Sequence, residues 1–105
     1  MYILTTWKSR PITPEQTNRM MAIWGRQEAA LAADATSERV CWFMNVDGSG
    51  GILVIKVKDA DAAIAKGLAD SLALGEFLEL RSEIVLDLES AMPSIIKGIE
   101  EVNAK

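Results

Sequence analysis

Histidine is absent from this chain of 105 residues, and cysteine occurs once, as Cys41. Without histidine there are no imidazole metal ligands, histidine-based triads or histidine proton shuttles. One cysteine excludes an internal disulfide, and a lone thiol inside a β-rich run reads as a small buried hydrophobe. Long apolar runs are missing too: none approaches the 18 or so residues of a membrane span. Met1-Tyr2-Ile3-Leu4-Thr5-Thr6-Trp7 lacks the basic flank, extended apolar stretch and cleavage site of a signal peptide. A cytoplasmic location is expected. Excess basic charge is also lacking, with 11 Lys and Arg against 15 Asp and Glu. The net charge of −4 offers phosphate backbones no long-range attraction, so neither nucleic acid nor a membrane is an expected partner. No cofactor is implied. Carboxylates spread along a strand, with no cysteine or histidine beside them, give no metal site.

What is present is a chain of one-domain length with half its residues hydrophobic, enough for a two-layer core. Its clearest signal lies between residues 39 and 57, where two apolar β-rich runs flank Asp47-Gly48-Ser49-Gly50-Gly51. That glycine-rich segment lacks the following Lys-Ser/Thr of a phosphate loop and reads as a hairpin turn. A four-residue loop at 47–50 would set Val46 opposite Gly51, Met44 opposite Leu53, Trp42 opposite Ile55 and Val40 opposite Val57 on one apolar face. The other face would then pair Asn45 with Ile52, Phe43 with Val54, Cys41 with Lys56 and Arg39 with Lys58. This second face is too apolar for open water.

The remaining elements follow from periodicity. Tyr2 to Trp7 reads as a first strand, and Pro11 as a break. Thr13-Pro14-Glu15-Gln16 carries a capping box and a proline at the tolerated first helical position, and the helix it opens ends near Ala33. Met20, Met21, Trp24 and Leu31 fall on its core side, with Arg19, Arg26 and Glu28 on its solvent side. Asp59 or Asp61 can cap a second helix to Leu72 or Leu74, with Ile64, Leu68 and Leu72 at four-residue intervals, Ala63 and Gly67 sharing that side, and Gly75 as its stop. Alternation from Phe77 to Leu88 predicts a long strand bent near Ser82, with Glu79, Arg81, Glu83, Val85 and Asp87 on one face. Pro93 then opens a last helix striped by Ile95, Ile96, Ile99 and Val102.

Strand, helix, strand, strand, helix, strand and a terminal helix is the ferredoxin-like α+β order: a four-stranded antiparallel sheet with two helices on one face. The face left over would carry Phe43, Ile52 and Val54, which predicts a homodimer with the sheets face to face. Residues 51–63, a strand leading into an acidic helix start, followed by Ser71-Leu72-Ala73-Leu74-Gly75-Glu76-Phe77 entering the last strand, resemble the dimeric α+β-barrel superfamily. That superfamily includes muconolactone-isomerase-like proteins and antibiotic-biosynthesis-type monooxygenases. The resemblance implies a small-molecule cavity between paired sheets, and with it a cofactor-free isomerase or monooxygenase acting on a small, partly apolar organic molecule.

For such chemistry the candidate catalytic set is Glu79 and Glu83 as acids or bases, with Asp87 as a third carboxylate, and Arg81 as anion holder. The candidate ligand-binding set is Arg39, Phe43, Asn45, Val54 and Trp7. Trp7 and Tyr2 lie on opposite faces of the first strand, and the sequence leaves open which enters a cavity. The alternative is a non-catalytic dimeric binding or assembly module with a filled interface.

Overall fold

Alternating side chains, two caps and a glycine turn lay out seven elements, which a computed structural model describes over residues 1–104. They are β1 (Tyr2–Ser9), α1 (Pro14–Ala33), β2 (Glu38–Met44), β3 (Gly50–Lys56), α2 (Ala60–Leu74), β4 (Leu78–Val85) and α3 (Leu88–Asn103). The strands form one antiparallel sheet in the order β2-β3-β1-β4, the ferredoxin-like arrangement. α1 opens on the expected capping box: the Gln16 N–H donates to Thr13 Oγ1 at 3.1 Å, and the Thr13 N–H donates to Gln16 Oε1 at 2.9 Å. Asp59 caps α2, accepting the Ala62 N–H at 2.8 Å.

The core lies between the sheet and α2. Ile3, Ile55, Val57 and Ala63 are buried together, with Leu31, Leu53 and Ala62 packed against them. A β-carbon on Gly67 would stand 3.5 Å from both Ile3 Cδ1 and Ser82 Cβ, so α2 reaches β1 and β4 through its small residues, Ala63 and Gly67. That contact turns Ile64, Leu68 and Leu72 outward, where all three are exposed, contrary to the stripe expected to face the sheet. Small side chains win because they let the helix axis approach the sheet, and the larger ones then have no room beneath it.

The hairpin departs from the expected pairing in two ways. Its loop is 46–49, closed by the Asn45 N–H donating to the Gly50 carbonyl at 2.8 Å and turned by Gly48 at φ +74°. Met44 therefore faces Gly51, Trp42 faces Leu53, Phe43 faces Ile52 and Cys41 faces Val54, a register two residues away from the sequence expectation. A β-bulge at Val40 then shifts the ladder, so that Arg39 faces Ile55 and Glu38 faces Lys56. An extra residue reverses the faces beyond it. Arg39 consequently lies on the helix-covered face rather than the open one, and Val40 is half-exposed instead of facing Val57.

The C-terminal third is also redrawn. Ser82 does not bend its strand; its Oγ and Thr5 Oγ1 share a hydrogen bond of 2.9 Å beneath α2. β4 stops at Val85, and Asp87 is the N-cap of α3, accepting the Glu89 N–H at 3.1 Å. Pro93 lies inside α3 rather than at its start. It removes the hydrogen bond to the Glu89 carbonyl at a cost of about 3 kcal/mol, and Gly98 adds about 1 kcal/mol relative to alanine. Among the described residues α3 makes no more than marginal contact with any other element. The chain accordingly measures 61 × 30 × 22 Å, with a radius of gyration of 17.2 Å. A compact chain of this length has a radius of about 13 Å. No helix among the described residues is long and apolar enough to cross a membrane.

Gly51 offers a direct check on the hairpin. A β-carbon there would collide with the Phe43 carbonyl and the Trp7 ring, which lies across this glycine. Gly51→Ala is expected to destabilise the fold by about 1–3 kcal/mol through overpacking, read as a lower urea midpoint with altered tryptophan emission.

Candidate functional site

Three tryptophans are all the chain contains, and all three line one cleft between the sheet and the two covering helices. Alternation in β1 directs Trp7 to the same face as the buried Ile3 and Thr5, and this answers which side of that strand meets a cavity. β2 supplies Trp42, and α1 supplies Trp24 from above. The Trp24 and Trp42 rings are tilted by 58°, with centroids 5.2 Å apart, a favourable aromatic geometry. The cleft holds about 70 Å³ and is partly open to solvent.

The Val40 bulge brings a charge into this aromatic setting. The Arg39 guanidinium stacks on Trp42 at 4.2 Å from the ring centroid and forms an ion pair with Glu28. Glu28 also accepts the Trp24 indole N–H at 3.3 Å. Trp24, Glu28, Arg39 and Trp42 thus close a circuit of contacts linking α1 to β2. Glu28 is half-buried here, contrary to its expected place on the solvent side of α1. Arg39 Nε is buried with no hydrogen-bond acceptor among the described residues. Such an orphan donor is uncommon in a folded interior.

α2 contributes a second charged pair. Asp70 accepts from Gln27 Nε2 at 3.3 Å and pairs with Lys66 Nζ at 3.4 Å, both of its partners also lining the cleft. Burial pushes the Asp70 carboxyl above the ordinary aspartate range, while Lys66 pulls it partly back. Asp70, Lys66, Gln27 and Glu28 were not read from the sequence as site residues. Their spacing is ordinary for helix surfaces, and only the separation of the two helices over the sheet exposes them to a common space.

The sequence-derived site residues divide between two faces. Arg39 and Trp7 line the cleft. Phe43 and Val54 lie on the open face, as expected, with Ile52 and Leu4 on neighbouring strands. Glu79, Arg81 and Glu83 also lie on the open face, along edge strand β4, where Arg81 Nε and Glu83 Oε1 form an exposed ion pair at 3.0 Å. Asp87 leaves this set as a helix cap. Asn45 is in the hairpin turn, where its Nδ2 donates to Ser49 Oγ at 3.1 Å.

A shallow depression of about 510 Å³ at the hairpin end touches Trp7, Phe43 and Asn45. It is larger than the tryptophan cleft but contains neither a buried charge nor an unpaired donor, so the cleft is the stronger site. Among the described residues no group of three potential metal ligands gathers. No family model matches the chain, and no curated protein matches it.

Proposed function

We propose that this protein binds a small, partly apolar organic molecule in the tryptophan cleft. The observation that carries this reading is the unpaired Arg39 Nε inside a cleft walled by all three tryptophans. An aromatic wall suits a flat apolar body, and an unsatisfied guanidinium donor suits a carboxylate or carbonyl oxygen at its edge. At about 70 Å³ the cleft is about half the size of a cavity that encloses a benzene ring, so a ring enters it only in part and stays partly in solvent. Of the chemistries implied by the superfamily resemblance, isomerisation by proton transfer is the one favoured by a specific group. Asp70, partly desolvated and with its carboxyl held above the ordinary aspartate range by burial, is the group we assign as acid or base. The single cysteine suits a cytoplasmic protein.

A second reading concerns the open sheet face, which we propose meets its counterpart in a homodimer. Phe43 is 66% exposed there, beside Ile52, Val54 and Leu4, and a contiguous apolar patch of this kind marks an interface. Such a pairing is the one expected of a dimeric α+β barrel, but the tryptophan cleft lies on the outer, helix-covered side of each sheet and not between the sheets, where the resemblance implies the cavity.

Two measurements test these readings. Benzoate is expected to change the tryptophan emission saturably, and benzyl alcohol to bind about tenfold more weakly. Arg39→Met should abolish that preference, since a hydrogen bond to a charged group contributes about 1.5–3 kcal/mol. Emission indifferent to benzoate, or an unchanged preference in the variant, contradicts the binding reading. Phe43→Asp is expected to elute from size-exclusion chromatography at half the wild-type mass. Coelution with wild type contradicts a sheet-to-sheet dimer.

A further inference from the structure

We infer that α3 of one chain docks on the outward stripe of α2 in a second copy, so that two chains exchange their C-terminal helices reciprocally. α3 is poorly suited to stand alone. Pro93 and Gly98 both weaken it, and 16 residues are close to the minimum for an isolated helix in water. Yet Leu88, Met92, Ile95, Ile99 and Val102 recur at spacings of four and three, a continuous apolar line with Ile96 beside it, and all six are exposed. Such a helix needs a surface to be stable.

The same chain carries the surface. Ile64, Leu68 and Leu72 form a ridge along α2, and Leu72 is 87% exposed. Ile84 and Leu86 extend this apolar ground along the end of β4, both exposed. The flanks of the α3 line are Glu89, Ala91, Ile96, Gly98 and Asn103, with one charge among them, at the start of the helix. That width suits a helix lying in a groove better than the narrow, charge-edged seam of a two-stranded coiled coil.

A second copy is the occupant that satisfies both surfaces. Within one chain α3 leaves the body after the two-residue connector Leu86-Asp87, and it does not return to its own α2. Each stripe offers five or six large aliphatic side chains, at about 100 Å² apiece. Two reciprocal contacts would then bury roughly 2,000 Å², which is the size of a stable dimer interface. Exchange of an identical element between two chains meets this demand with a two-fold axis and leaves no stripe uncovered. The inference depends neither on a ligand in the cleft nor on contact between the open sheet faces.

The test is disulfide trapping in a Cys41→Ser background. Chains carrying Leu68→Cys are mixed with chains carrying Ile95→Cys and mildly oxidised, then resolved without reductant; Leu72→Cys serves as a second position on α2. Both α2 residues are exposed, so neither substitution burdens the core. The expected result is a covalent dimer from either mixture and monomer from each single variant alone. Three outcomes overturn the inference: dimer from Ile95→Cys alone, which means α3 pairs with α3; a doubly substituted chain that loses its thiols at monomer mass, which means α3 folds onto its own α2; or no cross-link from either mixture.

Discussion

One extra residue in an outer strand determines which chemistry the helix-covered face contains. Were β2 regular throughout, Arg39 would share a face with Cys41 and Phe43, and the sheet would present α1 with an apolar floor alone. The bulge at Val40 turns Arg39 under α1 instead, onto Trp42 and against Glu28. A guanidinium in that place needs partners. Glu28 supplies one, Trp42 supplies a π face, and Nε is left over. The site therefore follows from the strand irregularity as much as from the residues themselves, in keeping with the tendency of bulges to re-aim a side chain beside a functional site.

A second constraint is the closeness of α2 to the sheet. Ala63 and Gly67 bring the helix down over Ile3 and Ser82, and its large aliphatic residues are left facing outward. α1 reaches the sheet through Trp24 and Leu31 and has no fully buried residue. Small residues under one helix and large ones under the other hold the two at different heights. The space between them is the cleft into which Asp70 and Lys66 look from one side and Glu28 from the other. The geometry that creates the cleft also leaves the α2 stripe bare, so the binding site and the docking surface arise from the same packing choice.

Much of this fold was legible in the sequence because local chemistry and global architecture agree. Thr13 and Gln16 announce a helix start, Asp59 or Asp61 another, and period-two alternation after Phe77 marks the last strand, which the structure confines to Leu78–Val85. The hairpin was legible as a hairpin. Its register was not, because Gly48, Gly50 and Gly51 permit more than one loop, and the choice is settled by Trp7 lying across Gly51 from a strand distant in sequence. The bulge left no local signature, since Arg39 and Val40 fit a regular strand as readily as an irregular one. Leu86 and Leu88 continue the strand alternation by coincidence, which hid the start of α3. The stripe of Ile64, Leu68 and Leu72 misled because periodicity identifies an apolar face without saying which surface covers it. For the same reason Trp7 was legible as a candidate, while Asp70 and Lys66 were not.

The central claim is that Val40 places Arg39 on Trp42 inside the cleft, and nuclear magnetic resonance of the Arg39 side chain tests it most directly. In the wild-type chain the Arg39 Nε–H and its neighbouring methylene protons should show upfield ring-current shifts with cross-relaxation to the Trp42 ring. Deleting Val40 should leave both in place, because Arg39 then directly precedes the open-face Cys41 and stays opposite Ile55 in a regular ladder. Unshifted Arg39 resonances in the wild-type chain, or ring-current shifts lost on the deletion, would contradict the account.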